Sequence, residues 1–152
     1  MTITLLENDK LGELLNFVYK TIRASYQVYY PSEVVDFFVS YHSPEAVMKD
    51  ISAGLVYVVE NNGAIAATVS VKGYNINRMF VDQKVQGTGL GTGLMSFAEA
   101  LIAKEHEFAQ LAASIPGYPF YFRRGYRTEY CGETAVENGK KLVYQVMRRR
   151  LA

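Results

Sequence analysis

The chain is poor in residues that build covalent or metal-held scaffolds. Cys131 is its only cysteine, which excludes an intramolecular disulfide. Its two histidines, His42 and His106, stand apart, so no Cys/His cluster has the spacing of a structural zinc site and no metal is expected. A reducing, cytoplasmic setting fits this usage. Long apolar runs are also lacking: residues 63–71 fall far short of the ~20 needed to span a bilayer. The first ten residues have no basic start followed by an apolar stretch, so neither secretion nor membrane insertion is expected. A net charge of +1 lacks the basic excess that would draw nucleic acid or an anionic membrane. The charge is unevenly placed, however. Residues 121–152 carry 8 Lys/Arg against 3 Asp/Glu, a basic end suited to a phosphate-bearing ligand.

What is present is ordinary globular composition, with 49% apolar and 20% charged residues in 152. No repeat, linker or low-complexity segment divides the chain, so a single domain over 1–152 is expected. Residues 2–6 alternate and read as a strand. Leu11, Leu14, Leu15, Val18 and Ile22 follow helical spacing, with Asn8 or Asp9 available as a cap. Pro31-Ser32-Glu33 and Ser43-Pro44-Glu45 each look like a helix start. The β-rich runs 55–60 and 64–72 flank Asn61-Asn62-Gly63, a hairpin signal. A further strand, 76–81, ends in the unbroken apolar Met79-Phe80-Val81, as expected of a strand covered on both faces. An amphipathic helix from Gly89 uses Leu90, Leu94, Phe97, Ala98, Leu101 and Ile102. A strand at 108–114, a short helix at 117–124 and strands at 126–130 and 141–147 complete the map.

Gly87, Gly89, Gly91 and Gly93 alternate between that apolar strand and that helix. A dinucleotide fingerprint needs G-x-G-x-x-G, but from Gly87, Gly89 or Gly91 the last position is Thr92, Leu94 or Ser96. A P-loop needs a lysine after its glycines, and none follows before Lys104. The pattern that fits is Q/R-x-x-G-x-G/A, supplied by Gln86, Gly89 and Gly91. With the flanking residues from Val81 to Met95, it resembles the GNAT superfamily of N-acetyltransferases, although Asp82-Gln83 lacks a proline frequent there. A second stretch, from Ala113 through Phe120-Tyr121 to Gly125-Tyr126, resembles the family's A-S-x-x-A-x-x-F-Y-x-x-x-G-[FY] segment. The resemblance covers the chain from about residue 55 onward, and the first fifty residues match in element type only.

The resemblance implies an α/β (α+β) fold: a mixed, mostly antiparallel twisted sheet of six to seven strands, splayed between the fourth and fifth and flanked by helices. It implies acetyl-CoA as co-substrate and an amine as acceptor. The backbone of Gln86, Gly87, Thr88, Gly89, Leu90 and Gly91 would bind the pyrophosphate, since a helix N-terminus offers unpaired N–H groups and a favourable dipole. The backbone of Met79, Phe80 and Val81 would hold the pantetheine arm and the thioester carbonyl. Tyr121 would be the general acid toward the departing thiolate. As one of 12 tyrosines it also reads as a core aromatic. Arg123 and Arg124 flank the same helix, and Arg148–Arg150 read as coenzyme contacts or as solvated charge.

The family's frequent glutamate near the start of the 76–81 strand is replaced by Asn75. Glu60, Glu33 and Asp36 remain candidate bases acting through water, each also readable as a surface carboxylate. His42 and part of the aromatic run from Tyr26 to Tyr41 are candidates for lining the acceptor pocket. A small-molecule or peptide amine is the expected partner, and a homodimer is common among relatives. The missing acid keeps a second reading open, a catalytically silent acyl-CoA sensor.

Overall fold

In the computed structural model, which describes residues 1–151, a seven-stranded sheet is covered by helices on both faces. The elements run β1 (Ile3–Leu5), α1 (Leu11–Tyr26), α2 (Ser32–Tyr41), α3 (Pro44–Ser52), β2 (Val56–Asn61), β3 (Ala64–Lys72), β4 (Asn75–Val81), α4 (Leu90–Ala103), β5 (Phe108–Ala113), α5 (Tyr118–Arg123), β6 (Arg127–Ala135) and β7 (Lys141–Arg150). The strand order is β1-β2-β3-β4-β5-β7-β6, antiparallel throughout except where β4 meets β5.

Local sequence explains most of these elements. Asn62 and Gly63 both adopt positive φ, 54° and 78°, so the two-residue connection turns β2 directly into β3. Ser43 caps α3 by accepting from the Ala46 N–H at 3.1 Å, with Pro44 at the first helical position. The expected cap of α1 is different: Asn8–Lys10 forms a single 3-10 turn, and α1 begins without a side-chain cap bond. Asn8 is drawn away because its Oδ1 accepts from Ser52 Oγ of α3 at 3.3 Å. The two last strands are longer than the sequence suggests, because their mutual pairing over 127–148 carries polar stretches into the ladder.

The sheet separates two cores. Leu14, Val18 and Ile22 of α1, with Val47 and Ile51 of α3, pack on Val56, Val58 and Phe80. On the other face Leu94, Met95, Ala98 and Ile102 of α4 pack on Ala67, Val69, Ile76 and Leu111. Each fully buried Val, Leu, Ile, Phe or Met among them contributes about 1.5–3 kcal/mol relative to an exposed one, and each alanine less. Strand β4 shows why its sequence reads as apolar on both faces: Phe80 belongs to the first core, while Met79 and Val81 pack against the second. No helix among the described residues is long and apolar enough to cross a membrane.

Candidate active site

Strands β4 and β5 pair at a single position, Asn75 with Gln110, and then diverge. The apex is pinned by backbone and side chain together. Gln110 N–H donates to the Tyr74 carbonyl at 2.8 Å, Gln110 Nε2 donates to Asn75 Oδ1 at 3.1 Å, and Arg148 Nε donates to Gln110 Oε1 at 2.7 Å. Asn75 thus serves as a clamp at the start of the split. Beyond it, the β5-facing edge of β4 has no ladder partner. β4 is irregular on its other edge too: pairing with β3 shifts between Thr68 and Ser70, opposite Arg78, whose φ is +47°. For a non-glycine residue that conformation costs on the order of 1–3 kcal/mol and persists only where the surroundings enforce it.

The split opens a cavity of about 1220 Å³ that runs from α1 and α2 across β4 to the start of α4 and to α5. Met79, Phe80, Val81, Gln86, Gly87, Gly89, Gly91 and Tyr121 all line it. Thr88 does not line it: it is exposed, with Oγ1 donating to the Val85 carbonyl. Leu90 lies outside it as well, its side chain packed on the α4 core. At these two positions only the backbone can serve the cavity.

The turn into α4 is shaped by Gly87 and Gly89, at φ +80° and +90°. A Cβ at either would meet nothing within 4 Å, so glycine is required there by conformation, not space. Gln86 Nε2 braces the turn by donating to the Val81 carbonyl at 3.1 Å. The first bond of α4 is Gly93 N–H to the Gly89 carbonyl at 2.9 Å, which leaves the amides of Leu90, Gly91 and Thr92 without intrahelical acceptors. At Gly91 a Cβ would meet Phe120, Met79 and Val81 at 3.6, 3.7 and 3.8 Å, so this first turn lies against β4 and α5. Unpaired amides, the helix dipole, and Arg123 and Arg124 on the same cavity suit an anionic ligand.

Tyr121 stands on α5 with its ring edge-on to Phe120 at 5.3 Å and to Tyr126 at 6.1 Å. Its hydroxyl makes no hydrogen bond to the described residues. Since no fully buried side-chain oxygen or nitrogen among them lacks a partner, the hydroxyl opens on the cavity. Burial, then the nearby Tyr26 hydroxyl, push the Tyr121 phenol above its ordinary value, so it stays protonated and can donate. Tyr26 itself is pushed up to about 12 by burial, against a hydrogen bond with Ser114 that lowers it. Tyr30 Oη accepts from the Ile115 N–H at 2.7 Å, fixing the connection between α1 and α2 to the loop after β5.

His42 lines the cavity, as the sequence suggests, within a polar cluster that the sequence did not reveal. Arg78 Nε donates to His42 Nδ1 at 3.1 Å, and Arg78 Nη1 donates to Ser70 Oγ at 3.2 Å and pairs with Asp50 Oδ2 at 2.7 Å. Burial and then the Arg78 charge, opposed by Asp50, lower the histidine from 6.5 to about 4. Above pH 6.5 the ring is neutral folded or unfolded. Below it the unfolded chain binds a proton that the folded chain refuses until about pH 4. Stability is therefore expected to fall by about 2 kcal/mol between pH 7 and 5. Urea midpoints at the two pH values check this, and His42→Gln should flatten the difference. An equal difference in both proteins contradicts it.

Glu60, Glu33 and Asp36 do not line the cavity. Glu60 borders a separate small pocket near β1, Glu33 accepts from Asn138 at 3.0 Å, and Asp36 pairs with Arg23 at 3.5 Å on the surface. No Asp or Glu lines the main cavity among the described residues, and no group of three or more potential metal-binding side chains is present among them. The arginines of β7 divide: Arg149 pairs with Glu99 at 3.0 Å, Arg148 lies over Phe108 at 4.3 Å, and neither reaches the cavity.

A search of the curated proteins returned no match. Among solved structures the chain is similar to a GCN5-related N-acetyltransferase from Rhodopseudomonas palustris, with TM-score 0.87 and 21% identity over 99% of this chain and 95% of that one. It is also similar to PaiA N-acetyltransferase from Thermoplasma acidophilum, solved in complex with coenzyme A, with TM-score 0.76 and 14% identity over 99% and 98% of the two chains. Ribosomal-protein-alanine N-acetyltransferase from Brucella melitensis gives TM-score 0.70 and 14% identity over 99% and 100%. At these identities the likeness is one of fold. The family model for the acetyltransferase (GNAT) domain matches residues 26–150. With that match over most of its length, and with a split β4–β5 sheet and a glycine turn opening α4, the chain belongs to the GNAT acetyltransferase family.

Proposed function

We propose that the protein transfers an acetyl group from acetyl-CoA to a primary amine by direct attack within a ternary complex. The observation that carries this reading is the convergence on one cavity of free amides at the start of α4, an unpaired edge of β4 and a hydroxyl, that of Tyr121, without a partner among the described residues. The thioester supplies an activated acyl group. The amides of residues 89–92, with Arg123 or Arg124, would take the pyrophosphate, and the free edge of β4 near Met79–Val81 would align the arm and donate to the carbonyl oxygen. Tyr121 would donate to the sulfur as negative charge develops there.

Proton removal from the amine is left to water. No carboxylate among the described residues lines the cavity, and His42 is unsuited as a base because its Nδ1 lone pair is already taken by Arg78. This absence also favours the second reading, a silent acyl-CoA sensor. Thiol release from acetyl-CoA separates the two: amine-dependent release with one N-acetyl product per thiol supports transfer, whereas coenzyme binding without release on any amine supports the sensor.

The turn gives an independent test. Gly89→Val forces a β-branched residue to φ +90° and is expected to displace the first amides of α4. Coenzyme affinity by calorimetry should fall about 10–100-fold, matching the 1–3 kcal/mol of such strain. Unchanged affinity would remove the turn from the site.

A further inference from the structure

Arg78 has only 7% of its side chain exposed. Its Nε and Nη1 are engaged by His42, Ser70 and Asp50, but Nη2 has no partner among the described residues. No fully buried side-chain nitrogen among them is left unpaired, so Nη2 opens on the cavity that Arg78 lines. A second donor follows from the contact between Arg78 and His42. A guanidinium Nε can only donate, so His42 Nδ1 must accept, which places the ring proton on Nε2. The ring is held edge-on between Tyr41 at 5.2 Å and Phe80 at 5.7 Å.

The charge of the cavity points the same way. Its charged lining residues are Arg78, Arg123 and Arg124, with no carboxylate among the described residues. Arg123 and Arg124 lie at the end of α5, whereas Arg78 stands on β4 against His42 at the end of α2 and Asp50 of α3. A polycation entering there meets no counter-charge. A carboxylate meets a guanidinium whose orientation Asp50 and Ser70 fix from behind, and arginine donors match carboxylate oxygens well.

We propose that the acceptor amine carries a carboxylate, bound by Arg78 Nη2 with His42 Nε2–H as neighbouring donor. The substrate class is then an amino acid or another amine-bearing acid. This rests on the transfer reading above and narrows it. A site built to hydrogen-bond a substrate group rejects the analogue lacking it, because the protein donor is left desolvated and unpaired. Arg78 retains three anchored N–H groups, so the discrimination expected is about 10²-fold, below the upper range for such sites.

The test uses the wild-type protein at saturating acetyl-CoA with α-, β- and γ-amino acids, their carboxamides, and spermidine. The three series vary the distance between amine and acid. At least one acid should exceed its carboxamide about 10²-fold in kcat/KM. Arg78→Gln should lower that acid's kcat/KM to a similar extent, mainly through KM, with the acetyl-CoA Kd unchanged by calorimetry. A structural brace alone would not give that split. If the variant fails to fold, the wild-type ratio decides. Carboxamides or spermidine reacting as well as the acids overturn the carboxylate assignment and leave acetyl transfer standing. Acetyl-CoA binding with no thiol release on any series overturns both.

Discussion

Tyr121→Phe is expected to lower kcat about 10²-fold while leaving the Kd for acetyl-CoA unchanged. The expectation follows from what the hydroxyl lacks. It has no hydrogen bond to the described residues, so its removal strands no buried partner, and phenylalanine keeps the ring contacts to Phe120 and Tyr126. Urea stability should therefore be little changed, and the loss should appear in turnover alone. The phenol is held above its ordinary value, and thiols ionise near 8.5, so full proton transfer from Tyr121 to a thiolate is uphill. Its contribution is a hydrogen bond that strengthens as the sulfur gains charge, about the size of one lost oxyanion donor. Stopped-flow and steady-state thiol release on the mutant check this, and wild-type turnover would remove Tyr121 from the chemistry.

Glu99→Ala is expected to cost about 3–5 kcal/mol of folding stability, nearer the lower figure because Arg149 is 36% exposed and can hydrate. Glu99 is buried on α4. It accepts from Arg124 Nε and Nη2 at 3.0 and 2.7 Å, from Tyr126 Oη at 2.7 Å and from Arg149 Nη1 at 3.0 Å. One carboxylate thus ties α4 to the end of α5 and to β7, and removing it strands two cations and a phenol. Burial alone would raise its pKa, but the bonds to Arg124 and Tyr126 and the Arg149 charge outweigh burial and lower it below 4.5. A lowered carboxyl contributes stability above pH 4.5, and that stability is lost as pH falls through its folded value. Equilibrium urea unfolding of Glu99→Ala measures the loss, and a change under about 1 kcal/mol would mean that water already serves the cluster.

Much of this architecture was legible because the signals were local. Asn62-Gly63 names its own turn, Ser43-Pro44 its own helix start, and the apolar Met79-Phe80-Val81 its own two-sided burial. The spacing of Gln86, Gly89 and Gly91 identified the handover to α4 without any tertiary knowledge. The polar clusters were not legible in that way. His42, Asp50, Ser70 and Arg78 come from the end of α2, from α3, from β3 and from β4, and none has a meaning until the sheet brings them together. One trace existed: Asn77-Arg78 separates the apolar Ile76 from Met79-Phe80-Val81 in one strand, and a charged residue there has to be satisfied or functional.

Glu99 left a similar trace. It lies four residues after Met95 and three before Ile102, on the buried side of α4, while Phe97 and Leu101 of the expected apolar face are only half-buried. A lone acid on that side signals a cation elsewhere in the chain. The candidate bases Glu60, Glu33 and Asp36 could not be ranked from sequence, because strand and helix positions alone do not say which face of the split a carboxylate meets.

The most direct test of the central claim is a crystal structure with acetyl-CoA bound. The pyrophosphate is expected on the amides of residues 89–92, the arm along the free edge of β4 between Met79 and Val81, and the thioester sulfur within hydrogen-bonding reach of Tyr121 Oη. A coenzyme bound outside the β4–β5 split, or a sulfur beyond reach of Tyr121, would contradict it.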